Sequence, residues 1–217
     1  VIVTGLRILA VAALSVLCLG ADAPPADQPP VATLACVVGD SWTYQYSASA
    51  TFAKPLNGTE TFTRTDCGDR RVLHPSGSLV KGDVTSDADG NVFSGFSVFT
   101  GSAERFKKPF PLYRLPLVPG QTWDSAVDID TGDGELSGSG HWKTDAWETI
   151  TVPAGTYVCL RKELKMNYDF SGNLGDVSGT FNATSWYCPA IRAEAKSMSS
   201  DSFGDSSSNE LTAMALK

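Results

Sequence analysis

This 217-residue chain holds 24 carboxylates but only two histidines, and the spacing of its side chains speaks against most acid–base or nucleophilic chemistry. The two histidines stand alone, His74 beside Pro75 and His141 beside Trp142. Gly39-Asp40-Ser41 is similar to the nucleophile motif of lipase-like esterases. Such enzymes need a helix after the serine and an Asp-x-x-His near the C-terminus, whereas here a strand pattern follows and no late histidine exists. Carboxylates gather at Asp87 and Asp89 and again at Asp128, Asp130, Asp133 and Glu135. Neither run matches a calcium loop, because the glycine falls in the wrong place in DADGN and an acidic residue stands in its place in DIDTGD. Turn-forming chemistry accounts for both. Four cysteines follow the leader, Cys36, Cys67, Cys159 and Cys188, without a Cys-x-x-Cys pair or a histidine at ligand spacing, so disulfides are expected rather than zinc. No catalytic residue, metal or cofactor is assigned.

The stretch that must position the remaining candidates is WETITVPAGTYVCL, Trp147 to Leu160. Pro153 presets the first corner of a type I turn, and Gly155 accepts the left-handed conformation that closes a three-residue loop with a bulge. Counting outward from Pro-Ala-Gly puts Val152 opposite Thr156, Ile150 opposite Val158, Thr149 opposite Cys159 and Trp147 opposite Arg161. Alternation sends Ile150, Val152, Val158, Leu160, Leu164 and Met166 to the core face, and Thr149, Thr151, Cys159, Arg161, Glu163 and Lys165 to the other.

The strand continues to about Phe170 and returns as Ser178 to Cys188 through SGNLGD. A turn centred between Asn173 and Leu174 reflects Cys159 onto Cys188, so these two are expected to be bonded, leaving Cys36 with Cys67. The same count puts Trp186 beside Arg161. Trp147, Arg161 and Trp186 then form a row on the outer face, either a structural ladder or an aromatic platform for a glycan or apolar ligand.

Elsewhere the pattern is of short alternating runs: Ser41 to Ala50, Glu60 to Cys67, Leu79 to Val84 and Asn91 to Phe99 around Asp87 to Gly90. The proline-rich FKKPFPLYRLPLVPG reads as an extended crossing segment. Gln121 to Asp130 and Glu135 to Lys143 form a hairpin with Trp123 opposite Trp142. Strands at Ala190 to Ser199 and Glu210 to Leu216 close the chain. About ten strands and no amphipathic helix predict an all-β antiparallel fold, a strongly curved open sheet or barrel, with a sandwich as the alternative.

The N-terminal VIVTGLRILAVAALSVLCLGADA carries one cation, Arg7, and an apolar run ending in small residues, the form of a secretory signal peptide over 1–21. Cys18 leaves a lipid anchor open, although Leu17 holds the place where a lipobox has a small residue. Residues 22–34 read as a Pro-rich tether, and 35–217 as one β domain. Net charge −7 disfavours nucleic acid and anionic membrane surfaces.

Four phrases, VGDSW at Val38 to Trp42, LPLVPGQTW at Leu115 to Trp123, ITVPAGTYVCLRKE at Ile150 to Glu163 and TSWYCPAIRAEAKS at Thr184 to Ser197, resemble the pattern of the bacterial TapB-like envelope domains of unknown function. The resemblance implies a secreted or periplasmic β domain and supplies no catalytic residues. WYCPAIR departs from it, with a cysteine and an isoleucine where the pattern has small residues. Asn57 and Asn182 begin N-glycosylation sequons that matter only in a eukaryote. The chain therefore reads as a non-catalytic envelope domain that binds or scaffolds, its partner a glycan, a lipid or an envelope protein. Two alternatives stand beside it: a carrier enclosing an apolar ligand among Trp42, Tyr44, Trp123 and Trp142, and a hydrolase using His74 or His141.

Overall fold

A computed structural model describes residues 28–51, 54–172 and 175–217. The signal peptide, Cys18 and residues 22–27 of the tether lie outside the described residues. Within them the chain is a meander of twelve antiparallel strands, each bonded to its neighbours in sequence, with β1 and β12 closing the barrel. The strands are β1 (Ser41–Ser49), β2 (Gly58–Cys67), β3 (Arg71–Pro75), β4 (Val84–Ser86), β5 (Asn91–Phe96), β6 (Ala103–Pro111), β7 (Thr122–Asp130), β8 (Gly134–Val152), β9 (Gly155–Gly172), β10 (Gly175–Cys188), β11 (Ala193–Asp201) and β12 (Ser206–Ala215). A single turn of 3-10 helix, Pro189–Ile191, is the one helical piece among the described residues. The all-β, barrel-like expectation holds, with two more strands than expected.

Closure removes the free edges that an open sheet would expose to aggregation. It also makes the strict alternation of β7 intelligible: Trp123, Ser125, Val127 and Ile129 are buried while Asp124 and Ala126 between them are exposed. Trp123 pairs with Trp142 as counted, and the rings stack at 5.5 Å. They belong to a lumenal cluster with Phe110, Val127, Ile129 and Leu164. Trp42 lies in a different cluster, with Val152, Ile191 and Leu211. These tryptophans are at most 5% exposed and are divided between two separate clusters.

Two loops pack against the β1–β2 side of the core. Leu79 and Val80 of the segment between β3 and β4 pack with Tyr46, Leu56 and Phe62. Phe99, between β5 and β6, meets Phe181 of β10 edge-on at 5.9 Å. The buried carboxylate of Glu60 holds the first loop, accepting the backbone N–H groups of Gly77, Leu79 at 3.1 Å and Val80 at 3.3 Å. The second loop locks onto the first at Gly101, which has φ +74° and a backbone so close that a Cβ would lie 2.1 Å from the Leu79 carbonyl oxygen. Leu79 to Val84 is therefore mostly packed loop rather than strand.

The chain engages the barrel before Cys36. Val31 exchanges both backbone bonds with Leu117, at 3.0 and 2.9 Å, and the Leu34 carbonyl accepts from Arg71 Nη1 at 2.8 Å. The β1–β2 register pairs Tyr46 with Gly58, so the connection is longer than the Pro55 to Gly58 turn expected from the sequence. That longer loop carries Cys67 past Ala48 to the level of the residues just before β1, where Cys36 bonds it.

Candidate functional site

The outer face of β9 and β10 is where the sequence places its row of ring, guanidinium and ring. The register between these strands is the one counted: Trp186 is opposite Arg161, Tyr187 opposite Leu160, and Cys159 and Cys188 are bonded. The β8 partner is displaced. Val152 pairs with Gly155, so the turn is the two-residue Pro153-Ala154, and Trp147 falls opposite Leu160 instead of Arg161. A one-residue slip turns every side chain to the other face. Trp147 is accordingly 6% exposed in a cluster with Leu117, Leu160 and Tyr187, while Ile150 and Val152 pack on the side of Cys159 and Trp186. Two tertiary features accompany the slip: the Ala154 N–H donates to the Leu211 carbonyl, seating the hairpin tip on β12, and β8 has an irregularity between Thr144 and Trp147.

The Trp147–Arg161–Trp186 platform is therefore not assembled. Arg161 instead bonds Glu163 and lies 3.6 Å from Glu148 and 3.8 Å from Asp145. Trp186 Nε1 donates to Glu148 Oε2 at 2.7 Å, and its ring is 9% exposed. Glu148 thus links the indole to the guanidinium. Arg161 is held protonated by its carboxylate neighbours, which outweigh its partial desolvation. This cluster is an ionic brace beside the Cys159–Cys188 disulfide, with its charges spent on one another.

On the inner face the same strands carry a group the sequence reading passed over. Lys162 is completely buried between Leu160 and Leu164. Its ammonium lies 2.8 Å from Glu194 Oε1, 3.4 Å from the Leu112 carbonyl oxygen and 3.7 Å from the centre of the Tyr113 ring. Glu194 Oε1 also accepts from Tyr113 at 3.1 Å and from Ser185 at 3.0 Å. Burial pulls the Lys162 pKa down and Glu194 pushes against it. Tyr113 and Tyr44 are raised well above the ordinary tyrosine range, first by burial. Alternation alone places Lys162 on the core face between two leucines, so that signal was present. Glu194 was not legible: the register irregularity between Trp186 and Tyr187 sets it opposite Tyr187. The arrangement is a neutralised polar node in an apolar wall, suited to fixing strand register.

The histidines are surface residues. His74 Nδ1 lies 2.8 Å from Asp83 and His141 Nδ1 2.7 Å from Asp124, with the imidazoles 60% and 58% exposed. Each has an aspartate beside it, and among the described residues neither is hydrogen-bonded to a serine or cysteine. The turn carboxylates do what turn chemistry asks: Asp87 accepts the N–H groups of Asp89 and Asn91, and Asp130 that of Gly132. No group of three metal-ligating side chains occurs among the described residues.

Two concavities lie on strand surfaces. One, of about 520 Å³, is lined by Ser139, Asn167, Asp169, Ser178, Thr180 and Ser202 with the adjoining backbone. A second, of about 570 Å³, is bordered by Asn182, Thr184, Met198, Ser200, Ser208 and Ser47. The register makes these contiguous along β10, as Thr180 faces Asn167, Asn182 faces Ser200 and Thr184 faces Met198.

Two solved structures of similar fold come from bacteria. A protein of YmcC-like fold from Bacteroides fragilis, inferred to be exported, superposes with a TM-score of 0.53 at 14% identity, covering 86% of this chain and all of that one. A protein from Parabacteroides distasonis, inferred to be a lipoprotein, gives 0.50 at 14% identity over 82% of this chain and 96% of that one. At such identity the likeness is one of fold. No protein-family model matches the chain, and no curated protein is significantly similar to it. None of these comparisons identifies the chain as TapB-like.

Proposed function

We propose that this is a non-catalytic domain of the bacterial envelope that binds a glycan across the outer wall of its barrel. The observation that carries the reading is the contiguous pair of clefts on β8 to β12 and β1, lined mainly by short hydroxyl, amide and carboxylate side chains together with Tyr168 and Met198 and with no lysine or arginine. Such a surface matches the donor and acceptor pattern of sugar hydroxyls and leaves room for a chain to lie in it. The closed barrel with its buried hydrophobic clusters supplies a support, and the two proteins of like fold, one inferred exported and one inferred a lipoprotein, agree with a place in the envelope.

The test is titration calorimetry with neutral envelope polysaccharide fragments against the wild type, Asn182→Arg and Ser208→Arg. Both substitutions fill a cleft from exposed or half-buried outward positions and should abolish binding while leaving the thermal midpoint unchanged. Binding indifferent to both would sink the assignment, as would turnover of an ester or glycoside that depends on His74 or His141.

A further inference from the structure

The end of the barrel where β1 begins holds more positive charge than its carboxylates neutralise. Four cations, Arg64, Arg71, Lys162 and Arg192, approach the Tyr113–Tyr187 ring pair, against two carboxylates, Asp40 and Glu194. Both carboxylates are already engaged. Asp40 is taken by Arg192, at 2.7 Å from Nε and 2.8 Å from Nη2, and by the backbone N–H of Lys217 at 2.8 Å. Glu194 is taken by Lys162, Tyr113 and Ser185. Arg64 and Arg71 are left over.

Strand geometry places these two together. Arg64 is opposite Leu73, and Arg71 is two residues along β3 on the same face, a diagonal cross-strand neighbour. Arg64 exchanges backbone bonds with Gly39 and Asp40, which fixes its strand at this end. The Nε atoms of both arginines are buried with no hydrogen-bond partner among the described residues, as are those of Arg161 and Arg192, but those two are ion-paired to carboxylates whereas Arg64 and Arg71 form no ion pair among the described residues. Arg71 spends one Nη on the Leu34 carbonyl, and Arg64 makes no side-chain hydrogen bond among the described residues, Asp40 acting on it only through its charge. Both side chains are half-buried, so the surplus charge is partly desolvated yet reachable. Burial first, and then the like charge of Arg71, pull the Arg64 pKa down against the opposing charges of Tyr113 and Asp40. In a chain of net charge −7 a pair of uncompensated guanidinium groups is not a consequence of overall composition.

We infer that Arg64 and Arg71 form an oxyanion site that takes a phosphate group, either free or carried on a lipid headgroup. Guanidinium forks donate paired, charge-assisted hydrogen bonds to such oxygens, and a bound anion would satisfy the orphaned donors and remove the repulsion between them.

The experiment uses the full disulfide-bonded chain. Inorganic phosphate is expected to bind saturably in calorimetry and to raise the thermal midpoint, while sodium chloride at matched ionic strength does not. Arg64→Gln and Arg71→Gln should each weaken phosphate binding about 10- to 100-fold, the loss of one charge-assisted partner. Lys165→Gln, which removes an exposed cation from the outer face, should leave it unchanged. Because Arg64→Gln relieves a like-charge contact, its midpoint without phosphate should equal or exceed that of the wild type, which separates lost binding from lost folding. Co-sedimentation with phosphatidylglycerol vesicles distinguishes the sources: vesicle binding lost in Arg64→Gln assigns a lipid headgroup, and phosphate binding alone assigns a free phosphate. Failure to bind either probe, equal effects of chloride, or binding indifferent to both arginine variants overturns the site.

Discussion

Replacing Glu194 by glutamine isolates the electrostatic worth of the lumenal node, because the substitution keeps shape and removes only charge. Lys162 then has no counter-charge in a site with no solvent exposure, and its remaining acceptors are the Leu112 carbonyl, the Tyr113 ring and one amide oxygen. Breaking a buried pair by removing one partner costs about 3–5 kcal/mol. A ceiling follows from proton release: a lysine whose unfolded pKa is near 10.5 can be neutralised at pH 7 for about 5 kcal/mol, so the loss cannot greatly exceed that. The pH dependence has a definite sign. The unfolded chain keeps the lysine protonated while the folded variant holds it neutral, so the unfolded state binds more protons and stability rises with pH. Urea unfolding of Glu194→Gln should therefore show a loss of about 3–5 kcal/mol at pH 7 that shrinks steadily toward pH 10. Lys162→Met is the contrasting variant. Glu194 is a quarter exposed and keeps Tyr113 and Ser185, so the loss should stay within about 2 kcal/mol. Equal losses for the two variants, or a Glu194→Gln deficit independent of pH, would refute the assignment of a buried charge pair.

Two further outcomes are expected. Burial raises the Glu104 carboxyl to about 7, above its unfolded value, so its stability contribution is full below pH 4.5 and is lost as pH rises through 7. Glu104→Gln should consequently stabilise the protein at pH 8 and change little at pH 4, as thermal midpoints at the two values would show. Gly101→Ala combines a left-handed backbone with a Cβ 2.1 Å from the Leu79 carbonyl oxygen, so it should destabilise by more than about 2 kcal/mol and loosen the 76–82 loop in hydrogen exchange.

The strand alternation of β7 and the Trp123–Trp142 pair were legible because each depends only on a period of two and a short turn. The same reasoning read Gly39-Asp40-Ser41 as a weak nucleophile motif, whereas Asp40 is a buried anchor for Arg192 and the C-terminal strand end. Arg192 has φ +57°, a conformation unusual outside glycine, and its ion pair with Asp40, hydrogen-bonded through Nη2, accompanies that turn. No local pattern announces such a bond, since its partners are separated by most of the chain. The oxyanion candidates were equally invisible, as Arg64 and Arg71 look like ordinary strand cations until Arg192 and Lys162 are seen to have claimed the available carboxylates.

The outer face of the β8–β10 meander divides what sequence determines from what the fold decides. The Cys159–Cys188 bond and the pairing of Trp186 with Arg161 followed from counting, because β9 and β10 run without interruption to a shared turn and every residue is one step in the ladder. The side taken by Trp147 did not follow. A two-residue turn seated on β12 and an irregularity after Thr144 shift β8 by one residue, and with a period of two a single step sends the indole from the surface into the core.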